Sequence, residues 1–143
     1  MKSTTLARRT VAVLALAAFA ATAAAQAQKK EDFTPQVGQA GKDVIWVPTP
    51  EELVERMLRM AQTTPNDFVI DLGSGDGRIA IAAAKKFNAR SMGIEYNPDM
   101  VEVSNRNAAK EGVAGKARFV KADIFESDFS QATRNSSASG PPV

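Results

Sequence analysis

Cysteine and histidine are both absent from this sequence of 143 residues. Without cysteine there is no disulfide, no thiolate metal ligand and no cysteine lipid anchor, and without histidine there is no imidazole ligand. The serine–histidine and cysteine–histidine pairs of nucleophilic catalysis are excluded for the same reason. The function classes that depend on these two side chains are therefore ruled out.

A clustered basic surface is lacking as well. The chain has 18 Lys and Arg against 16 Asp and Glu, and three of the basic residues, Lys2, Arg8 and Arg9, stand near its start. Without those three the two signs nearly balance. Because no stripe of Lys and Arg with interleaved aromatic residues occurs, we expect no nucleic-acid partner.

Residues 1–27 have the pattern of a secretory signal peptide. A basic start is followed by an alanine-rich apolar run at 11–25, and A-x-A cleavage sites end at Ala25 and Ala27. An uncleaved membrane anchor is the weaker alternative, because a spanning helix needs about 20 apolar residues. We expect a periplasmic or secreted protein without a stable membrane anchor after signal cleavage.

Composition divides the remaining chain into three parts. Residues 28–42 are polar and contain proline and glycine, which predicts a flexible leader. Residues 43–133 have the patterning of a folded domain. Residues 134–143 are rich in serine, glycine and proline, which predicts a disordered tail that cannot form a strand.

Three short apolar runs, ending near Leu72, Glu95 and Ala122, alternate with segments of helical pattern. This order predicts a parallel three-layer α/β sheet with right-handed crossovers. One helix is predicted from about Pro98 to Glu111, with Asn97 as its N-cap and Gly112 past its end.

Another helix is predicted before the first strand. Thr49 is expected as its N-cap, Pro50 as its first residue and Glu52 as the partner in a capping box. It should run to about Gln62. Its core-facing stripe is predicted to comprise Leu53, Met57 and Met60.

Residues 71–78, D-L-G-S-G-D-G-R, form a glycine turn between the first strand and an alanine-rich helix. Glycine permits positive φ and a close approach to a ligand, and the N–H groups of the following helix favour a carboxylate or phosphate. The dinucleotide fingerprint G-x-G-x-x-G would need a glycine where this chain has Arg78. The turn predicts a ligand cradle, although its glycines would also suit a purely structural βα turn.

Each predicted strand ends in a carboxylate, namely Asp71, Glu95 and Asp123. The carboxyl ends of parallel strands lie at one edge of a sheet, so these groups should converge on a ligand. A carboxylate after the second strand is suited to accept both hydroxyls of a ribose.

The pattern D-x-G-x-G-x-G, with acidic ends on the next two strands, resembles class I S-adenosylmethionine-dependent methyltransferases over about residues 43–133. The resemblance implies a partial Rossmann-like sheet containing the first three parallel strands with their helices, the remaining strands being missing. It also implies S-adenosyl-L-methionine as cofactor, with Asp71 facing its ammonium group and Asp123 contacting the adenine amino group. The implied cofactor-binding residues are Asp71, Gly73, Ser74, Gly75, Gly77, Glu95, Tyr96, Asp123 and Ile124. Neither a catalytic residue nor a metal site is implied.

The motifs W-V-P-T-P at 46–50 and G-I-E-Y-N-P at 93–98 are similar to those of a narrower branch. It comprises bacterial relatives of the mitochondrial lysine methyltransferases that act on the ATP synthase c-subunit and the adenine nucleotide translocase. The resemblance implies methyl transfer to a nitrogen, with a lysine side chain of a protein as the partner. Trp46 and Thr49 are further candidates for ligand contact.

The family pattern is not continued after Thr133, so we expect a C-terminally truncated chain whose activity is reduced or lost. The first strand would then have an open edge, through which self-association is expected. Two alternatives remain open. One is a non-catalytic exported α/β fragment that binds a nucleoside-like ligand or a protein partner; the other is an NAD-binding enzyme, because Glu95 also suits the ribose of that cofactor.

Overall fold

The computed structural model describes residues 32–137. The predicted signal peptide and the last six residues of the predicted tail lie outside this range. Within it, no helix is both long and apolar enough to cross a membrane.

Strands and helices alternate along the described chain as predicted. The elements are α1 Glu51–Met60, β1 Phe68–Leu72, α2 Arg78–Phe87, β2 Arg90–Glu95, α3 Pro98–Lys110, β3 Ala117–Lys121 and β4 Arg134–Ser137. The strands β1 to β4 form one parallel sheet in the order β3-β2-β1-β4. The predicted parallel α/β fold is therefore confirmed.

The fourth strand corrects two predictions. Residues 134–137 were expected to be disordered and unable to form a strand, yet they pair in parallel with β1 from Val69 to Leu72. β1 is consequently paired on both sides, with β2 and with β4. The open edge predicted on the first strand, and the self-association expected there, are not supported by this structure.

Thr133 fixes the start of β4 beside β1. Its hydroxyl accepts a hydrogen bond from the Phe68 N–H at 2.8 Å and donates one to the buried Asp67 carboxylate at 2.7 Å. Its own N–H donates to the Phe68 carbonyl at 3.0 Å. These contacts set the register of a segment whose composition has little strand propensity, because context outweighs intrinsic preference in sheets.

The leader predicted to extend to residue 42 contains ordered structure. Residues 38–46 form an antiparallel hairpin. The Gly38 N–H donates to the Trp46 carbonyl and the Trp46 N–H donates to the Gln39 carbonyl, both at 2.9 Å. Ala40 and Ile45 form a bridge between its two arms. Ordered structure therefore begins before Asp43, and we call residues 38–46 the N-terminal hairpin.

The first helix departs from its prediction in two ways. Its N-cap is Pro50, which lacks a side chain for capping, so the predicted Thr49 capping box is wrong. Its buried face contains Val54 and Leu58, whereas the predicted Leu53 and Met60 are 45% and 78% exposed. The helix is therefore rotated about its axis relative to the prediction, so that Val54 and Leu58 face the core in place of Leu53 and Met60.

The other helix boundaries follow the sequence signals. Asn97 caps α3 by accepting a hydrogen bond from the Asp99 N–H at 2.9 Å, with Pro98 as the first helical residue. Gly112 follows the helix with a φ of 72°. The small side chains of α2 contribute to two apolar clusters, one shared with α1 and one shared with α3 and β3.

We expect Thr133→Val to lower the free energy of unfolding by about 1 to 2 kcal/mol, because two polar groups at the start of β1 lose a partner. Urea denaturation followed by circular dichroism measures the change. Thr133→Ser keeps the hydroxyl and should stay close to the unsubstituted protein. Equal stability of the valine and serine variants would contradict this account of β4.

Candidate functional site

The carboxyl ends of β1, β2 and β3 open into one cavity of about 380 Å³. This lies within the range of roughly 300–1,000 Å³ that is usual for small-molecule sites. The three strand-end carboxylates predicted from the sequence line it together with the N-terminal hairpin. Of the predicted residues, those at the cavity are Asp71, Gly73, Ser74, Gly75, Glu95, Tyr96, Asp123 and Ile124.

Gly77 is not part of this lining. Its φ is +83°, and a Cβ there would come within 2.7 Å of the Phe119 ring and 2.9 Å of Ser104 Cβ. Phe119 belongs to the apolar cluster beneath the turn. Gly77 therefore has a structural role, which is to let the βα turn pack against Phe119 and Ser104. Such a role was the alternative explanation for all three glycines.

Gly75 is required by a different neighbour, the indole of Trp46. With a φ of +55°, a Cβ at this position would lie 2.5 Å from Trp46 Nε1. Trp46 belongs to the N-terminal hairpin and also lines the cavity. Glycine at 75 lets the hairpin cover the turn at van der Waals distance.

The backbone N–H groups of the glycine turn bond within the protein. Those of Gly73 and Ser74 donate to the Ile94 carbonyl at 2.9 and 3.0 Å, and that of Gly77 donates to the Ser74 carbonyl at 2.9 Å. These amides tie the turn to β2 and close it on itself. These three amides are therefore not the donors expected for a ligand, which were the N–H groups of the following helix.

The start of α2 is occupied by a carboxylate of the chain itself. Asp76 accepts a hydrogen bond from the Arg78 N–H at 3.3 Å, and its Oδ2 pairs with Arg78 Nη2 at 2.6 Å. The same guanidinium donates to the Thr49 carbonyl at 2.8 Å, which holds the segment after the N-terminal hairpin against the turn. This pairing raises the pKa of Arg78, because Asp76 stabilises its charged form. The arginine that breaks the dinucleotide fingerprint is thus a structural link.

Ser74 turns its side chain away from solvent. The hydroxyl is buried, has no hydrogen-bond partner among the described residues, and packs where a Cβ at Gly93 would be. The side chain is thus placed against β2. Any contact between Ser74 and a ligand is expected through its backbone.

Two residues of α3, neither of which was predicted from the sequence, form hydrogen bonds to backbone carbonyls of the turn. The Ser104 hydroxyl, fully buried, donates to the Gly75 carbonyl at 2.8 Å, and Asn107 Nδ2 donates to the Asp76 carbonyl at 2.9 Å. They lie three positions apart and therefore share a helix face. Small polar residues on the inward face of α3 were the available signal.

Glu95 keeps acceptor capacity on both carboxylate oxygens. Oε2 accepts the Gly75 N–H and Oε1 accepts the Asn97 N–H, both at 2.9 Å. A carboxylate oxygen has two lone pairs, so each can accept one further hydrogen bond. Two backbone contacts thus orient Glu95 without exhausting it.

Asp71 lies at one end of the row of carboxylates, near the end of β1, which is one of the two inner strands of the sheet. Its side chain is only 1% exposed. Because water screens a buried charge little, such a carboxylate attracts a nearby cation strongly. It is therefore suited to a cationic ligand group.

Asp123 has a partner that was not predicted. Its Oδ2 forms an ion pair with Lys42 of the N-terminal hairpin, and its Oδ1 accepts the Phe125 N–H at 3.0 Å. Hydrogen bonding from Lys42, and then from the Phe125 backbone, lowers the pKa of Asp123, while the same pair raises the pKa of Lys42. The two positions are far apart in sequence, so no local pattern indicated this contact.

We expect Gly75→Ala to destabilise the protein by about 1 to 3 kcal/mol, because a Cβ would meet the Trp46 ring and the backbone has positive φ. Thermal unfolding measures the loss, and fluorescence of Trp46, the only tryptophan, should shift as the indole becomes exposed. Gly115→Ala is the matched control, since nothing lies within 4 Å of a Cβ there. An unchanged emission spectrum in Gly75→Ala would argue against this packing.

Comparison with known proteins shows which families the domain resembles. Residues 71–134 match the family model described as the ANTKMT methyltransferase domain. The chain is 48% identical over 91 residues to a protein-lysine N-methyltransferase of Saccharolobus islandicus, covering 63% of this chain and 56% of that protein. It is 41% identical over 100 residues to the human lysine N-methyltransferase of the ATP synthase c-subunit, covering 68% of this chain and 42% of the human protein.

A solved structure shows the same similarity. An RNA methyltransferase from Salinibacter ruber in complex with S-adenosyl-L-homocysteine superposes with a TM-score of 0.63 at 47% identity, covering 64% of this chain and 60% of that one. The chain spans about half the length of the two curated relatives. The expected C-terminal truncation is not tested by this and stays a prediction.

These matches confirm the family resemblance and the Rossmann-like fold. S-Adenosyl-L-homocysteine is bound in the solved relative, which agrees with the cofactor that the sequence indicated. The predicted contacts of individual residues with the cofactor are not tested by them. The chain is similar to S-adenosylmethionine-dependent methyltransferases: residues 71–134 match the ANTKMT methyltransferase domain, and about two thirds of the chain resembles part of two lysine N-methyltransferases.

Proposed function

We propose that this protein binds S-adenosyl-L-methionine at the carboxyl edge of its sheet and takes part in methylation of a lysine side chain of a protein. The observation that carries the proposal is the row of three carboxylates, Asp71, Glu95 and Asp123, along one cavity under the N-terminal hairpin. A methyltransferase domain match over the same residues supports it.

The hydrogen-bond acceptors along the cavity match the donors of the cofactor group by group. S-Adenosylmethionine has an ammonium group, a ribose diol and an adenine amino group, which are all hydrogen-bond donors. Along the sheet edge the chain offers the carboxylates of Asp71, Glu95 and Asp123, which are acceptors. Because β2 lies between β1 and β3, the ribose would be bound between the two ends of the ligand.

The cofactor, when bound, supplies a methyl group on a sulfonium centre. The residues of this chain would hold it and exclude water: the three carboxylates fix its orientation, and Trp46 covers the glycine turn from the solvent side. Alignment of this kind can supply a large part of the acceleration in a displacement reaction. The acceptor lysine must reach the site without its proton, which a dry cavity favours.

Lysine is preferred as acceptor because both curated relatives named above are lysine N-methyltransferases. The solved relative is described as an RNA methyltransferase, which suggests a different acceptor. The near balance of charges in this chain argues against a nucleic-acid substrate. A labelled-methyl transfer assay with protein and RNA fractions as acceptors would separate the two.

We expect Glu95→Gln to weaken binding of S-adenosylhomocysteine about tenfold or more, since an amide replaces one carboxylate acceptor for the ribose and the contact with Gly75 is weakened. Isothermal titration calorimetry of the full chain gives the dissociation constant directly. Glu52→Gln, on the exposed side of α1, makes the same chemical change away from the cavity.

The control should bind like the unsubstituted protein. Equal binding by Glu95→Gln would show that the ligand does not use this carboxylate. A folded protein that binds neither S-adenosylmethionine nor S-adenosylhomocysteine would contradict the proposed function and favour the non-catalytic fragment.

We also propose that the protein is exported to the periplasm or secreted, on the strength of the signal-peptide pattern in residues 1–27. Intact mass measurement after expression in a bacterial host with a working secretion system should give a mature chain beginning at Gln26 or Gln28. Ala25→Arg together with Ala27→Arg should block cleavage, because signal peptidase needs small residues at these sites. Recovery of an unprocessed chain from the cytosol would contradict export.

A further inference from the structure

Lys42 lies at the cavity but has no part in the function proposed above. Its ammonium group pairs with Asp123 and lies 5.0 Å from the centroid of the Tyr96 ring and 5.7 Å from that of Phe125. Two aromatic rings and a carboxylate thus surround one cation. The group sits at the β3 end of the cavity, which is the end assigned to adenine.

We propose that Lys42 is an internal competitor of the cofactor: it occupies the Asp123 carboxylate until the adenine amino group replaces it. The N-terminal hairpin would then regulate exchange of the cofactor through this one side chain. The inference rests on the proposed function, because it takes adenine as the group that Asp123 binds.

The competition is for space and not for lone pairs, since each Asp123 oxygen could accept a second hydrogen bond. The Lys42 ammonium group lies beside Asp123 and the Tyr96 and Phe125 rings, which is where a base bonded to Asp123 and stacked on those rings would lie. One Asp123 oxygen accepts the Phe125 N–H, and the other holds the ammonium group. A charged donor binds a carboxylate more strongly than the neutral amino group of a base. Adenine therefore displaces Lys42 only with additional contacts, and the Tyr96 and Phe125 rings beside the ammonium are surfaces on which a base can stack.

The displacement needs no movement of the hairpin as a whole. Lys42 lies in the turn of the hairpin, where the Gly41 N–H donates to the Val44 carbonyl at 3.0 Å. The other end of the hairpin is fixed by the packing of Trp46 on Gly75. The segment after the hairpin is fixed by the hydrogen bond from Arg78 to the Thr49 carbonyl. The Lys42 side chain is 35% exposed and that of Asp123 is 18% exposed, so the ammonium can leave towards water. Ion pairs with this exposure are weak, and the effect on affinity should be small but measurable.

The test replaces Lys42 by methionine, an unbranched side chain that is one atom shorter and has no charge. S-Adenosylhomocysteine is the probe, since it carries no net charge at neutral pH and long-range repulsion is small. We expect Lys42→Met to bind it about two- to fivefold more tightly, as removal of an exposed ion pair implies. Quenching or enhancement of Trp46 fluorescence reports binding, because that indole lines the cavity.

Two control variants separate competition from other effects of charge. Lys42→Arg keeps a cation and should bind the probe like the unsubstituted protein. Lys85→Met removes a lysine that pairs with Glu111 outside this cavity, and it should leave the affinity unchanged. Raising the salt concentration should tighten binding in the unsubstituted protein more than in Lys42→Met, because salt screens the Lys42–Asp123 ion pair, which the variant lacks.

Equal or weaker binding by Lys42→Met, while the unsubstituted protein binds, would overturn the competitor role and show that Lys42 is neutral or a cofactor contact. Failure of every variant to bind the probe would instead refute the proposed function and, with it, this inference. Tighter binding by both Lys42→Met and Lys85→Met would also overturn it, since the effect would then come from net charge.

Discussion

The close packing of Trp46 on the backbone of Gly75 is the contact on which the site depends. Only glycine leaves room for the indole. The contact joins the N-terminal hairpin to the end of the sheet, and this turns an open edge into a cavity with a cover. Covered sites exclude water and strengthen electrostatic interactions inside them. The carboxylates would act more weakly on a fully exposed rim.

Below the turn, α3 supplies the opposing support. Ser104 and Asn107 hold the carbonyl groups of Gly75 and Asp76, while the turn's amide groups bond to β2 and to Glu95. Polar groups of the turn are thus engaged from two sides. A loop satisfied in this way is preorganised, so binding need not order it first.

Much of this structure could be predicted from sequence, and the failures that concern the sheet edge and the site share one physical cause. The alternation of strands and helices, the Asn97 cap and the carboxylates ending the strands all depend on local patterns. The pairing of β4, the Lys42 contact with Asp123 and the hairpin over Gly75 depend on neighbours distant in sequence. Composition indicated a disordered tail at 134–137, but a single hydroxyl at Thr133, bonded to both Asp67 and Phe68, sets a strand there.

The hydrogen bonding of the turn also discriminates between the two cofactors that its sequence left open. A dinucleotide places a pyrophosphate at such a turn and needs free amide donors at the helix start. Here the amides of Gly73, Ser74 and Gly77 are engaged, and the Asp76 carboxylate stands at the start of α2. The Asp76 carboxylate, paired with Arg78, thus occupies the place that a phosphate would take. A ligand without phosphate, whose ends carry donors, suits the same surface, and S-adenosylmethionine is such a ligand.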